Sequence, residues 1–281
     1  MKRRELQELL ARQGLAPRHR LGQNFLVEPD LLRALVREAG VAAGDAVLEI
    51  GPGAGGLTRP LLEAGARVLA VEVDPGLASL LRELLAAPLA EGRLRLVEGD
   101  VLGPDPAFHP RVETWWAEVR RPRVVANLPY GISGPLLARL AGRPLRGASL
   151  LLQQELVDRA LGRRLRDRGP LAVLLHLAFR ARAGRRLPPE VFWPRPRVHS
   201  AVLHLEPRED ALPAEAWPRV RGWLRVAFAE RRKMLLPRLR EQAPPLARVL
   251  EEAGVEAALR PEELSLDDWE GILRRAILEG L

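Results

Sequence analysis

Between residues 45 and 165, short β-type runs alternate with helix-length stretches, and that alternation leaves the chain few ways to fold. The run Asp45-Ala46-Val47-Leu48-Glu49-Ile50 ends at Gly51, and residues 67–73, 93–97, 124–126 and 149–152 repeat the pattern. Helical patterning follows at 57–64, 77–86, 135–140 and 155–165. Strands separated by helices pair in parallel through right-handed crossovers, so the expectation is a Rossmann-like, doubly wound α/β sheet. Ligands of such a sheet bind beyond the carboxyl ends of its strands. Residues 201–205 read as a last strand, and after Glu206-Pro207 the pattern is helical, with 207–213 as the linker. The expected division is therefore one domain at 1–206 and a small all-α domain at 207–281.

The loop after the first strand is Gly51-Pro52-Gly53-Ala54-Gly55-Gly56-Leu57-Thr58. Glycines there let the backbone turn sharply and come close to a bound nucleotide. Glu72 ends the second strand 21 positions after Gly51, where a carboxylate reaches ribose hydroxyls. The loop alone also fits a dinucleotide fingerprint, or a tight turn with no ligand at all. Two features point away from NAD. The third strand ends in Gly99-Asp100, a carboxylate at the rim where an adenine amino group could bind, and the fourth ends in Asn127-Leu128-Pro129-Tyr130.

That tetrapeptide uses residues the chain otherwise avoids: Asn24 and Asn127 are its only asparagines and Tyr130 its only tyrosine. An exocyclic adenine amine is a poor nucleophile because its lone pair is delocalised into the ring. The Asn127 side-chain oxygen and the Leu128 carbonyl could accept its two N–H bonds and aim the lone pair at an electrophilic methyl. Pro129 restricts Leu128 to extended angles and so directs that carbonyl. Tyr130 offers a ring on which an extruded base can stack. Orientation rather than a strong base would then supply most of the catalysis. The plain alternative is a strand-ending turn, in which Asn and Pro are ordinary.

Charge points to a partner. The formal net charge is +8 and the isoelectric point about 11.1. The first 205 residues hold 31 basic and 21 acidic residues; the rest hold 13 and 15. Within the tail, 219–248 carry nine basic and two acidic residues, whereas 249–281 carry three and nine. Clusters such as Arg163-Arg164-Leu165-Arg166 and Arg231-Arg232-Lys233 fit either polyanion binding or an ion-paired, solvated surface. Only two of the basic residues are lysine, Lys2 and Lys233; with 25 prolines and no cysteine this fits either a heat-adapted protein or a genomic base bias. Without cysteine there is no disulfide and no thiolate metal site. His109, His176 and His199 show no ligand spacing, so no metal is expected. Ser200 lacks partners for a nucleophile, and Trp115 and Trp116 read as packing anchors. No apolar run approaches a membrane span and no apolar signal core follows the basic start, so a cytoplasmic protein is expected.

The ordered set Gly22-Gln23-Asn24-Phe25-Leu26, Glu49 to Thr58, Val71-Glu72-Val73-Asp74, Gly99-Asp100, Asn127 to Tyr130 and Phe192-Trp193-Pro194-Arg195-Pro196-Arg197-Val198-His199-Ser200 resembles the ribosomal RNA adenine dimethyltransferases of the KsgA type. The resemblance runs from about residue 18 to 235. It implies an α/β, Rossmann-like class I methyltransferase sheet with a small all-α C-terminal domain and S-adenosylmethionine as cofactor; a monomer is expected, though nothing in the residues fixes the oligomeric state. It further implies N6,N6-dimethylation of two adjacent adenosines in the 3′-terminal hairpin of small-subunit ribosomal RNA, within the immature subunit. By the same resemblance Asn24, Leu26, Gly51, Gly53, Glu72, Asp100 and Asn127 line the cofactor site, while Tyr130 and Phe192 flank the target base. Phe192 beside Trp193 reads equally well as core. Arg231, Arg232 and Lys233 are the expected RNA contacts. Arg197, His199 and Gly131 depart from the residues usual in that family. A large-subunit adenine N6-methyltransferase and an assembly factor acting mainly by binding are the alternatives.

Overall fold

The computed structural model describes residues 1–230 and 233–280. In chain order the strands are β1 (Phe25–Leu26), β2 (Ala46–Ile50), β3 (Arg67–Glu72), β4 (Leu94–Glu98), β5 (Arg123–Asn127), β6 (Gly147–Gln153), β7 (Phe179–Leu187), β8 (Phe192–Trp193) and β9 (Ser200–Pro207). The first seven helices are α1 (Arg3–Arg12), α2 (Pro29–Glu38), α3 (Thr58–Glu63), α4 (Pro75–Leu84), α5 (Ala86–Ala90), α6 (Pro110–Val119) and α7 (Ser133–Leu140). They are followed by α8 (Gln154–Leu161), α9 (Pro170–Ala178), α10 (Trp217–Phe228), α11 (Leu235–Gln242), α12 (Pro244–Glu252) and α13 (Leu266–Leu278).

Seven strands form one sheet in the order β4-β3-β2-β5-β6-β9-β7, while β1 and β8 make a separate antiparallel ribbon. The pairs β2–β3, β3–β4, β2–β5 and β5–β6 are parallel, as helical crossovers require. β9 returns antiparallel to β6, with Leu203 opposite Leu150. Strand order reverses between β2 and β5, so a crevice opens beyond Ile50 and Asn127. Val47, Leu48, Val124 and Leu150 are completely buried, which is why the central strands read as unbroken apolar runs. Leu32, Leu35, Leu61 and Leu81 from α2, α3 and α4 close over Val47, Val68 and Val125. Each fully buried leucine contributes about 1.5–3 kcal/mol over an exposed one.

Sequence patterning does not reveal β7. Its arginines, Arg180, Arg182, Arg185 and Arg186, lie on an edge strand, where charge discourages pairing with another chain. Gly184 is required there because a Cβ would lie 2.5 Å from His204, whose Nδ1 is 2.9 Å from Ser149 Oγ.

By packing, the chain forms two compact units. The first comprises Met1–Arg139, Pro144–Gln154 and Ala183–Glu206; the second comprises Leu140–Arg143, Glu155–Arg182 and Pro207–Leu281. The single cut expected at 207 differs from this division, because 155–182 belong with the helical unit. The reason is α9, where Ala172, Val173, Leu174, Leu175, Leu177 and Ala178 are all buried. A helix apolar on every side needs neighbours on every side, and α10 and α13 provide them.

In the second unit Glu270 Oε1 accepts from Arg208 at 2.7 Å and from Arg274 at 2.7 Å, and Asp210 pairs with both arginines. Burial works to raise the Glu270 carboxyl, but the two guanidiniums outweigh it and hold the group below its ordinary range. His176 Nε2 lies 2.9 Å from Glu270 Oε2 and 3.2 Å from Asp267, a grouping that sequence spacing conceals. Glu270 is already shared by two arginines there. Among the described residues no helix is long and apolar enough to cross a membrane.

Candidate active site

A cavity of about 480 Å³ opens at the carboxyl ends of β2, β3, β4 and β5. Its wall brings together Asn24, Leu26, Gly51, Gly53, Glu72, Asp100, Asn127, Leu128, Pro129 and Tyr130. Gly51 and Gly53 have φ of 67° and 59°. A Cβ on Gly53 would sit 2.7 Å from the Phe25 ring, so the loop needs glycine for both conformation and space.

Glu72 is 3 % exposed, and its two oxygens accept N–H bonds from Gly53 at 3.0 Å and Asp74 at 2.9 Å. Burial raises its carboxyl, and those two amides only partly offset the rise. Each oxygen keeps a further lone pair for a hydroxyl donor. Asp100 is exposed on the rim, with one oxygen held by the Leu102 N–H at 2.9 Å.

Asn127 is oriented by a neighbour. Its Nδ2 donates to the Asn24 carbonyl at 2.9 Å, and Asn24 Nδ2 donates to the Gly22 carbonyl at 3.1 Å. A carbonyl only accepts, so it fixes which end of the amide carries the NH2 and leaves Oδ1 as an acceptor on the cavity wall. The Leu128 N–H is tied to the Leu151 carbonyl at 3.1 Å, and the Leu128 carbonyl accepts no bond among the described residues. Ser133 Oγ donates to the Pro129 carbonyl at 2.9 Å and pins the turn to the start of α7. Tyr130 is half-buried, its hydroxyl 3.5 Å from Ser200 Oγ, and burial pushes that hydroxyl upward.

Phe192 is not brought into this group. It pairs with Leu26 across the short ribbon, is 1 % exposed, and belongs to the core with Leu35 and Val202. The adjacent Trp193 stacks on Phe25 with ring centroids 6.3 Å apart. Phe192 thus packs in the core and does not line this cavity. Arg231 and Arg232 lie outside the described residues, and Lys233 pairs with Glu230 at 2.9 Å.

Sequence patterning alone does not mark Glu49 or Asp74 as parts of the site. Glu49 is 1 % exposed on the cavity wall, and its Oε2 is buried with no hydrogen-bond partner. Burial lifts its carboxyl to about 8, with Thr58 pulling the other way and the Glu72 charge adding to the rise. Asp74 caps α4 through the Gly76 N–H at 3.0 Å, receives Gln23 Nε2 at 3.0 Å and pairs with Arg18 at 3.3 Å. Those bonds hold residues 19–23 along the cavity rim. The signals that could reveal them are an acid inside an apolar strand, Glu49, and an Asp-Pro pair opening a helix.

A switch-point cavity beside a parallel sheet, with an amide fixed as acceptor at its mouth, is the arrangement of a class I methyltransferase, whose cofactor is S-adenosylmethionine. The glycine cradle and the unpartnered Glu49 oxygen fit that group: Gly51 and Gly53 leave room for it, and Glu49 gives the wall a carboxyl for a donor. The family model described as ribosomal RNA adenine dimethylase matches residues 14–276, and the chain belongs to that family. It is an S-adenosylmethionine-dependent rRNA adenine dimethyltransferase.

Among its relatives is the ribosomal RNA small subunit methyltransferase A of Cereibacter sphaeroides, 40% identical over 96% of both chains. The protein of the same name from Paracoccus denitrificans is 38% identical over 96% of this chain and 94% of its own. A dimethyladenosine transferase from Plasmodium falciparum superposes with a TM-score of 0.68 at 25% identity, covering 92% of this chain and 98% of its own. The 23S rRNA methyltransferase ErmE shares the fold, with a TM-score of 0.63 at 24% identity over 90% of this chain and 99% of its own.

Proposed function

We propose that the chain, acting as a metal-free monomer in the cytoplasm, dimethylates N6 of two adjacent adenosines in the 3′-terminal hairpin of small-subunit ribosomal RNA. Its substrate is the immature small subunit, and the modification accompanies a step of subunit maturation. The substrate assignment rests on relatives named for the small subunit that match 96% of the chain. The observation that carries the chemistry is the Asn127 amide, held by the Asn24 carbonyl so that Oδ1 can only accept.

In this reading Glu72 binds the cofactor ribose, Asp100 its adenine, and Asn24, Leu26, Gly51 and Gly53 complete that side. When bound, S-adenosylmethionine supplies an electrophilic methyl group. Asn127 Oδ1 and the Leu128 carbonyl accept the two N6 hydrogens and turn the amine lone pair toward that methyl. Tyr130 stacks on the extruded base from one face. Holding the amine in line supplies the main rate gain. The basic stretch containing Arg231, Arg232 and Lys233 binds RNA phosphates.

The test is methyl transfer from labelled S-adenosylmethionine to small and large subunits lacking adenine N6 methylation, with mass analysis of the digested RNA. Dimethyladenosine confined to small subunits is the expected result. Label in the large subunit would move the substrate there. No label anywhere, with subunit binding intact, would favour an assembly role.

A further inference from the structure

The first unit holds a second cavity, of about 540 Å³, at the opposite end of the parallel strands. Its wall carries six arginines: Arg67, Arg93, Arg95, Arg121, Arg123 and Arg146. The sheet places them there. Arg67 opens β3 opposite Ala46 of β2, and Arg123 opens β5 opposite Val47 of β2 and Gly147 of β6. Parallel strands begin at one edge, so arginines at their first positions form a row with steps of about 5 Å between strands.

The carboxylates present do not balance this charge. Asp45 Oδ2 accepts from Arg123 at 3.0 Å and Oδ1 from Arg146 at 2.6 Å. Burial works to raise the Asp45 carboxyl, but the Ala42 amide and these two guanidiniums overcome it and hold the group low. Glu118 pairs with Arg95 at 2.9 Å, and Glu91, off the wall, pairs with Arg93. Three carboxylates thus face six guanidiniums, and the side chains of Arg67 and Arg121 have no ion pair among the described residues. Trp115, 7 % exposed, adds an apolar wall beside them. Unpaired guanidiniums converging on a concave surface are matched to phosphate oxygens, which they bind through paired N–H donors.

We infer that this cavity is a phosphate-binding site separate from the methyl-transfer cavity, taking clustered phosphates of a polyphosphate or of an RNA backbone. The length of β2, five residues or roughly 16 Å, separates the two. The inference does not depend on which adenosine is methylated.

The experiment is calorimetric titration of the full chain with inorganic triphosphate at low salt. It compares wild type, the double variant Arg67→Ala/Arg121→Ala, and a charge-matched control, Arg12→Ala/Arg37→Ala, on α1 and α2. Wild type should bind one triphosphate, the double variant about tenfold or more weakly, and the control within about twofold of wild type. Absence of binding by wild type, or equal weakening in the control, would overturn the site. A second arm follows single-stranded RNA binding against salt. If RNA occupies the site, the double variant lowers the slope of log K against log salt by about one per arginine and triphosphate competes with RNA. Lost triphosphate binding with an unchanged RNA slope assigns the site to a free polyphosphate.

Discussion

Asn127 has only one way to hold its amide, because the Asn24 carbonyl takes its NH2 group. Asn127→Ala removes the acceptor while leaving the rest of the cavity wall in place. Methyl transfer should fall by about 10²–10³, the cost typical of deleting one preorganised polar group, while subunit binding survives. Single-turnover rates together with subunit co-sedimentation measure both, and equal loss of the two would remove Asn127 from the chemistry. Glu49 gives a pH prediction. An unfolded glutamate ionises above about 4.3, whereas the buried Glu49 carboxyl stays protonated to about 8. The unfolded chain thus releases this proton first, so stability falls as pH rises from about 4.5 to 8 and levels off above. Glu49→Gln should abolish that fall and be more stable than wild type at pH 8 by on the order of a few kcal/mol, with little difference at pH 4.5. Melting temperatures of both proteins across this range, without cofactor, test it. The two residues differ in how legible they are. Asn127 stands out because asparagine is rare in this chain, whereas Glu49 looks like one polar position in a strand. Its importance comes from burial, which depends on α3 and β3 closing around it.

At the scale of elements, the parallel strands are legible because burial on both faces makes them continuous apolar runs. Their ends fall within about two residues of the expectation. β7 is hidden because its arginines break the apolar pattern, and β1 and β8 because two residues carry no periodicity. The placement of α9 depends on partners distant in sequence, so its burial could not show the unit it joins. Phe192 shows the same limit, since the face of a two-residue strand that turns inward is decided by its pairing. One element terminus carries a testable strain. α6 ends at Arg120, whose φ of 62° and ψ of −60° make it the positive-φ non-glycine residue of the described chain. The Arg121 N–H bonds to the Val119 carbonyl at 2.8 Å, closing a positive-φ γ-turn around Arg120, a strained conformation that costs a side chain on the order of 1–3 kcal/mol. Arg120→Gly should therefore raise stability by about 1 kcal/mol, read from denaturant midpoints at unchanged slope; a neutral or destabilising result would mean that the Arg120 side chain offsets its own backbone cost.

For the whole molecule the informative quantity is how charge is spread along the chain. The excess of 31 basic over 21 acidic residues in the first 205 contrasts with 13 against 15 in the remainder, where 219–248 are basic and 249–281 acidic. Much of the surface charge is neutralised internally: Arg275 pairs with Glu279 and Glu252, Arg248 with Glu279, and Arg240 with Glu251. Such exposed pairs contribute about 0–1 kcal/mol each and leave little charge for a partner. RNA affinity should therefore depend on the smaller set of basic groups that are not neutralised, rather than on the net charge. Lys233 is itself paired with Glu230, which also accepts from Arg238, so charge reversal there removes a cation and adds repulsion beside Glu230. The triple variant Arg231→Glu/Arg232→Glu/Lys233→Glu should weaken RNA association at every salt concentration and flatten its salt dependence by about one unit of slope for each phosphate no longer neutralised. Methyl transfer at saturating RNA should be nearly unchanged, because the role proposed for the three is to neutralise RNA phosphates and not to hold the amine or the cofactor. A salt titration of RNA binding beside saturated turnover separates the outcomes. Unchanged slope would place the RNA-binding groups elsewhere on the chain, and loss of saturated turnover would mean that this segment positions the base as well as the backbone.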